Sequence, residues 1–431
     1  MNTYKYTNVI IIFLISYLQN VCAAQFQANK NKYKSAFLLL ADTIDSGDLQ
    51  AFAELTGEIL KEEDVHYVLT AHVPKEFRQT EPTLLHMLAT KKDGLPLLKA
   101  LTSVRRDSAK DAIDNKGNTL LHCAALYGRA AIAHFLINTI KINVDVSNNE
   151  HMTPLFHACQ NDSNPTGALE TVTVLCNAGA SLDKIATPYS TPCNLAIYYG
   201  LDDVAAYLIQ KRHAFVYSLT NRHQTPLHVA CEEKSKASES IVSLLCEQGA
   251  IVDAIDTKEL TALNYAASSG KMKIALLLMQ KMPHYLELTT NRLGSTLLHD
   301  AVRGGSLMLV KILLDEGVSA DVPTQCGITP LHIATQHSRL NCIRHLIQEA
   351  GANPNAQTYD NKRTPLHWAY HQQSSHDNNE TAIRKQKTID LLCELGAQPN
   401  ICDVYGWIPQ SLCFVQSIKC KKTTSDECRL T

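Results

Sequence analysis

Thr225-Pro226-Leu227-His228, Thr329-Pro330-Leu331-His332 and Thr364-Pro365-Leu366-His367 are three copies of one tetrapeptide. Softer copies begin at Thr83, Thr119, Thr153, Thr191, Thr261 and Thr296, and the steps between successive threonines run from 33 to 38 residues. Spacing this even describes an array of like units, each too small to bury its own apolar face, so that neighbours must stack.

The parts of the motif suit the start of a helix. Threonine is a good N-cap, because its hydroxyl can accept from an orphan backbone N–H. Proline fits the first helical position, where no N–H is needed. Leucine enters the core, and small residues such as Ala124-Ala125 and Ala266-Ala267 let a second helix approach. Gly128, Gly200, Gly270 and Gly305, nine residues after their threonines, are placed to end the first helix in a left-handed conformation. Apolar runs such as Val242-Ser243-Leu244-Leu245 and Val310-Lys311-Ile312-Leu313-Leu314 then read as second helices, followed by Gly-Ala turns at 179–180, 249–250, 351–352 and 396–397.

A period of about 33 residues with T-P-L-H inside a helix-turn-helix unit resembles the ankyrin repeat family. The resemblance implies an all-α solenoid of helix-turn-helix units joined by short β-hairpin-like loops. Repeats are expected over residues 82–401, with a degenerate N-terminal cap within the polar lead at 25–81 and a C-terminal cap at 402–418. It also implies that the motif pairs Thr119/His122, Thr225/His228, Thr329/His332 and Thr364/His367 are structural, each imidazole tying neighbouring loops together. A protein partner is expected in a concave groove built from hairpin tips and from the residues seven and eight after each threonine. Tyrosine and arginine are enriched at binding hot spots. The candidates are Tyr127, Tyr198, Tyr199, Glu232, Arg303 and His337, with Asn161 in an equivalent place and Lys116 among the tips. Three stretches interrupt the period, at 161–167, 232–238 and 371–387; the last reads as a mobile loop.

The two ends have a different character. Lys5, the apolar run from Val9 to Leu18, and Cys22-Ala23-Ala24 have the layout of a secretory signal peptide over residues 1–24. The alternative is a retained short membrane anchor. Residues 419–431 read as a disordered tail, in which Cys428 loosely resembles a prenylation site. A signal peptide on an ankyrin array is similar to exported effectors of host-associated bacteria, which leads to the expectation of a secreted protein, delivered into a host cell. The fourteen cysteines point the other way, because their spacing matches no secreted disulfide framework and free core thiols suit a reducing compartment. Cys176, Cys246 and Cys393 share one place in the second helix and are expected to be buried, as are Cys159 and Cys231.

A formal net charge of −2 without a basic stripe argues against a nucleic-acid partner. The sequence contains no H-E-x-x-H, C-x-x-C, G-x-S-x-G or phosphate loop, so no catalytic residues, metal, cofactor or small-molecule substrate are expected. The reading is a noncatalytic interaction scaffold, exported and binding a host or target-cell protein. Two alternatives stand beside it: an intracellular or membrane-tethered adaptor of the producing cell, and an effector with an unrecognised enzymatic activity. Membrane contact is expected only if the N-terminus is retained or Cys428 is lipidated.

Overall fold

A computed structural model describes residues 84–104, 106–186, 191–211, 216–286, 291–371 and 379–411. The signal peptide expected at 1–24, the cap expected within 25–81, the tail expected at 419–431 and Cys428 lie outside the described residues. The chain forms two compact units, residues 1–221 and 222–431.

The first unit holds helix pairs at motif spacing. They are α1 (Leu84–Thr90) with α2 (Leu95–Val104) and the short α3 (Arg106–Asp111), then α4 (Leu120–Leu126) with α5 (Ala130–Phe135). Next come α6 (Pro154–Ala158) with α7 (Pro165–Asn177), and α8 (Pro192–Tyr199) with α9 (Asp202–Lys211). First helices pack on first helices, α1 on α4 on α6 on α8, and second helices form a parallel row, α5 on α7 on α9. The second unit repeats the scheme with α10 (Pro226–Cys231), α11 (Glu239–Glu247), α12 (Ala262–Ser268), α13 (Met272–Lys281), α14 (Leu297–Gly304), α15 (Leu307–Asp315), α16 (Pro330–Gln336), α17 (Leu340–Gln348), α18 (Pro365–His371) and α19 (Asn379–Glu394). There α10, α12, α14, α16 and α18 form the row of first helices. The fold is all-α, and two isolated antiparallel bridges, Ile113 with Thr119 and Ile255 with Thr261, are what the described hairpin loops show of β-structure.

Motif leucines fill the core. Leu85, Leu121, Leu155, Leu227, Leu263, Leu298, Leu331 and Leu366 are buried, as is Cys193 in their place in the Thr191 copy, each leucine contributing about 1.5–3 kcal/mol by leaving water. The glycines expected at the ends of the first helices have positive φ, from 64° at Gly128 to 78° at Gly305. Gly304 has a further role: a Cβ there would sit 2.1 Å from the Ala267 carbonyl oxygen, so only glycine lets α14 lie this close to α12.

Two expectations need correction. Cys176 and Cys246 are half-buried and Cys393 is exposed, whereas Cys159 and Cys231 are buried as expected. The residues that face the core are Leu175, Leu245 and Leu392, and one step further along a helix turns the side chain away by roughly 100°. The stretch 371–387 is not all loop, because α19 starts at Asn379 and so lengthens the second helix of that unit. The other two interruptions are tied into the fold. Asn164 caps α7 by accepting from the Gly167 N–H at 3.1 Å, and Lys271 Nζ pins 232–238 by donating to the Ala230 and Ser235 carbonyls, both at 2.8 Å.

Candidate protein-binding surfaces

The rigid frame beneath the candidate surfaces begins with the motif histidines. At His332, Nδ1 lies 3.2 Å from the Thr329 N–H and 2.9 Å from its hydroxyl, while Nε2 reaches the Arg363 carbonyl in the next repeat at 3.1 Å. A backbone N–H can only donate, so Nδ1 accepts and the proton resides on Nε2. His122, His228, His299 and His367 repeat the pattern, with Nε2 bonded to the carbonyls of Met152, Leu260, Ile328 and Trp407. Burial lowers His122, His299 and His332 to about 4, which keeps them neutral. In these copies the threonine hydroxyl bonds the imidazole; at Thr191 and Thr261 it accepts from the Asn194 and Asn264 N–H groups, as the cap reading expects.

One softened copy keeps the tie by other means. Asn264 Oδ1 accepts from the Thr261 N–H and hydroxyl at 3.0 and 2.8 Å. Its amide then donates to Asp300 Oδ2 of the next repeat at 2.9 Å. Burial pushes the Asp300 carboxyl up to about 6, against the pull of the Arg303 guanidinium and of the hydrogen bond from Asn264.

The hairpin tips are held from within by a residue five before the motif threonine, or before Ile408, which stands in its place after the last tip. Asp114 accepts from the Lys116 and Asn118 N–H groups at 2.8 Å each, and Asn148, Asp256, Asn291 and Asp403 do the same in their tips. Successive tips are joined by single backbone bonds, such as Asn149 N–H to Lys116 O at 2.9 Å and Tyr359 N–H to Cys326 O at 2.8 Å. An Asp or Asn at that offset was a legible signal that the sequence reading passed over.

On this frame the candidate side chains fall into separate groups. In the first unit Tyr127 is 48 % exposed and borders a cavity of about 520 Å³ between hairpin tips and first helices. Tyr198 and Tyr199 are half-buried and meet edge to face, with centroids 5.4 Å apart. Asn161, expected on the open face, is buried. In the second unit Arg303 Nη1 donates to Asp300 Oδ1 at 2.7 Å, and the Arg303 carbonyl accepts two bonds from the Arg339 guanidinium at 3.1 and 2.8 Å. His337 is exposed just after α16, and partial burial, Arg303 and Arg339 together hold its imidazole below the ordinary range. Glu232 is half-buried and accepts from Gln224 Nε2 at 3.0 Å. The structure therefore brings together Tyr198 with Tyr199, and Arg303 with His337.

Among the described residues, no three His, Cys, Asp or Glu side chains are grouped to hold a metal ion, and no helix is long and apolar enough to cross a membrane. The ten cysteines among them are free, and burial raises the buried thiols, Cys193 and Cys231 to about 12.

The family described as "Ankyrin repeats (3 copies)" matches residues 85–186, 167–256, 193–291 and 298–403. The chain belongs to the ankyrin repeat family. It is 34 % identical over 150 residues to the nuclear factor NF-kappa-B p105 subunit of Gallus gallus, a stretch covering 34 % of this chain and 15 % of that protein. The B-cell lymphoma 3 protein homolog of Mus musculus is 26 % identical over 258 residues, covering 59 % of this chain and 48 % of the relative. Rabankyrin-5 of Homo sapiens is 26 % identical over 265 residues, 60 % of this chain and 21 % of that protein. The chain thus spans about half or less of the length of these curated relatives.

Proposed function

We propose that this chain is a noncatalytic scaffold that binds a protein partner through its hairpin tips and the exposed ends of its first helices. The observation that carries the reading is the placement of Tyr127, half exposed at the rim of an open cavity whose walls are held by the histidine and tip hydrogen bonds. A preordered surface binds without the cost of ordering loops, and a tyrosine at the mouth of such a cavity has the character of a hot-spot residue. Tyr198 and Tyr199 extend the proposed surface in the first unit; Arg303, His337 and Glu232 form a second one in the other unit. Tyr127→Ala combined with Tyr199→Ala should weaken partner binding while the melting temperature stays within about 2 °C. Equal loss of binding and stability would make these residues structural and overturn the reading.

We also propose that the protein is exported and acts on a host or target-cell protein. The support is the signal-peptide layout of residues 1–24, and the free thiols agree with a final destination in a reducing cytosol. The same thiols favour a second reading, an adaptor that stays in the producing cell with its apolar N-terminus retained. The N-terminal residue of the mature protein separates them. A start at Gln25 or one residue earlier supports export, and an intact Met1 overturns it.

A further inference from the structure

The cavity of the first unit lies between the tips at 114–118 and 148–152 and the helices α1, α4 and α6. Met87, Cys123 and His157 occupy the same register, one residue beyond the motif position, and all three line it. His157 is the exception in kind, a polar ring 8 % exposed where its neighbours are soft and apolar. Its ring is oriented by a chain of amides. Asn118 donates to Asp114 Oδ2 at 2.9 Å, Asn148 donates to Asn118 Oδ1 at 2.8 Å, and the same Asn148 nitrogen lies 3.3 Å from His157 Nε2. The Asn148 oxygen already accepts from the Glu150 and Met152 N–H groups, so its amide cannot be turned round. Nε2 is therefore the acceptor and the proton sits on Nδ1. That nitrogen has no hydrogen-bond partner. A buried donor left in this state costs about 1–3 kcal/mol; the nitrogen is covered in this conformation, so an occupant bringing an acceptor would remove that cost by drawing Nδ1 round to the cavity.

The charges around the cavity say which acceptor. Lys116, exposed at the tip, and Arg129 line it, and the Lys116 charge acts on His157, which burial, His122 and Lys116 together lower to about 3. The three cations of the wall, Lys91, Lys116 and Arg129, outnumber its two carboxylates, Asp114 and Glu150, so the lining is net positive although Asp114 keeps its charge while accepting from the N–H groups of its own tip. We propose that this cavity receives an acidic side chain, Asp or Glu, from an extended segment of the partner protein, its carboxylate accepting from His157 Nδ1–H with Lys116 beside it and Tyr127 packing against the segment at the rim. The proposal rests on the partner-binding reading of the same unit and specifies what that partner must present.

The test is a displayed library of random heptapeptides selected on the full-length chain, with the selected peptides synthesised and their affinities measured for wild type, His157→Phe, Lys116→Gln and the Tyr127→Ala/Tyr199→Ala pair. The expected result is an Asp or Glu at one fixed position, with binding weakened about tenfold by His157→Phe, by exchange of that residue for its amide, and several-fold by Lys116→Gln. Lys116→Gln alters an exposed tip residue and so keeps the test valid if His157→Phe folds poorly. Peptides that depend on the tyrosines but ignore His157 and Lys116 would overturn the acidic pocket and leave the binding surface standing. Peptides indifferent to all of these variants would overturn both.

Discussion

Replacing His332 by alanine and by asparagine should destabilise the second unit by two distinct amounts. His332 is fully buried and makes three contacts: two on Nδ1 from Thr329, and one from Nε2 to the Arg363 carbonyl. Alanine leaves the buried Thr329 N–H and the part-buried Arg363 carbonyl without these partners. At about 1 kcal/mol per lost bond, plus the cost of the unsatisfied groups, the expected loss is roughly 3–4 kcal/mol. Asparagine should keep the local half, because Asn264 Oδ1 already holds Thr261 in this way at 3.0 and 2.8 Å. It should lose the tie to the next repeat. Asn264 replaces that tie by reaching Asp300, but the residue in the register of Asp300 here is Trp368, which offers no acceptor. The asparagine variant should therefore lose roughly 1–2 kcal/mol. Repeat arrays can unfold in stages, so a single midpoint is a poor reporter. The assay is amide hydrogen exchange across residues 329–371, supported by urea unfolding. Equal losses for the two variants, or less than about 0.5 kcal/mol for alanine, would refute the inter-repeat role assigned to the imidazole.

Three further outcomes are expected. His122, His299 and His332 are lowered to about 4, so the unfolded chain takes up protons first. Their contribution is complete above pH 6.5 and is lost as pH falls towards 4, by about 2 kcal/mol per histidine at pH 5. Asp300, raised to about 6, works in the opposite direction, with stability lost as pH rises through 6. The histidines outnumber it, so the urea midpoint should drop between pH 7.5 and 5, and an unchanged midpoint would contradict their buried neutral state. Gly304→Ala should cost about 1–3 kcal/mol, because the new methyl meets the Ala267 carbonyl at 2.1 Å; a neutral effect in thermal unfolding would show that α12 and α14 can separate. The double substitution Tyr127→Ala/Tyr199→Ala should leave the circular-dichroism melt in place while lowering affinity for the partner, as titration calorimetry would show.

The repeat frame was legible because its signals are local. Thr329, Pro330, Leu331 and His332 carry cap, first turn, core and tie within four residues, and the left-handed glycines follow at a fixed offset. What could not be read were pairings one repeat apart. The T-A-L-N copy looks merely degraded at Thr261 until Asn264 is seen to reach Asp300, 36 residues on. His157 stands one place beyond the motif, behind Phe156, and nothing local shows that Asn148 and Asn118 in the tips set its tautomer. The cysteine error was one of phase. An apolar run of V-L-C or L-L-C does not say which of three adjacent residues faces inward, and in Leu175-Cys176 and Leu392-Cys393 the leucine does. Of the surface candidates, Tyr127 and His337 are open, whereas Asn161 at the same offset, the first residue of the 161–167 stretch, is buried.

The central claim is that this chain binds a protein through the face that carries Tyr127, Tyr198 and Tyr199. The most direct measurement is quantitative affinity capture from target-cell extract, comparing the full chain with a Tyr127→Ala/Tyr198→Ala/Tyr199→Ala variant shown to melt at the same temperature. The account predicts a small set of proteins retained by the wild type and lost from the variant. The same set retained by both would contradict it.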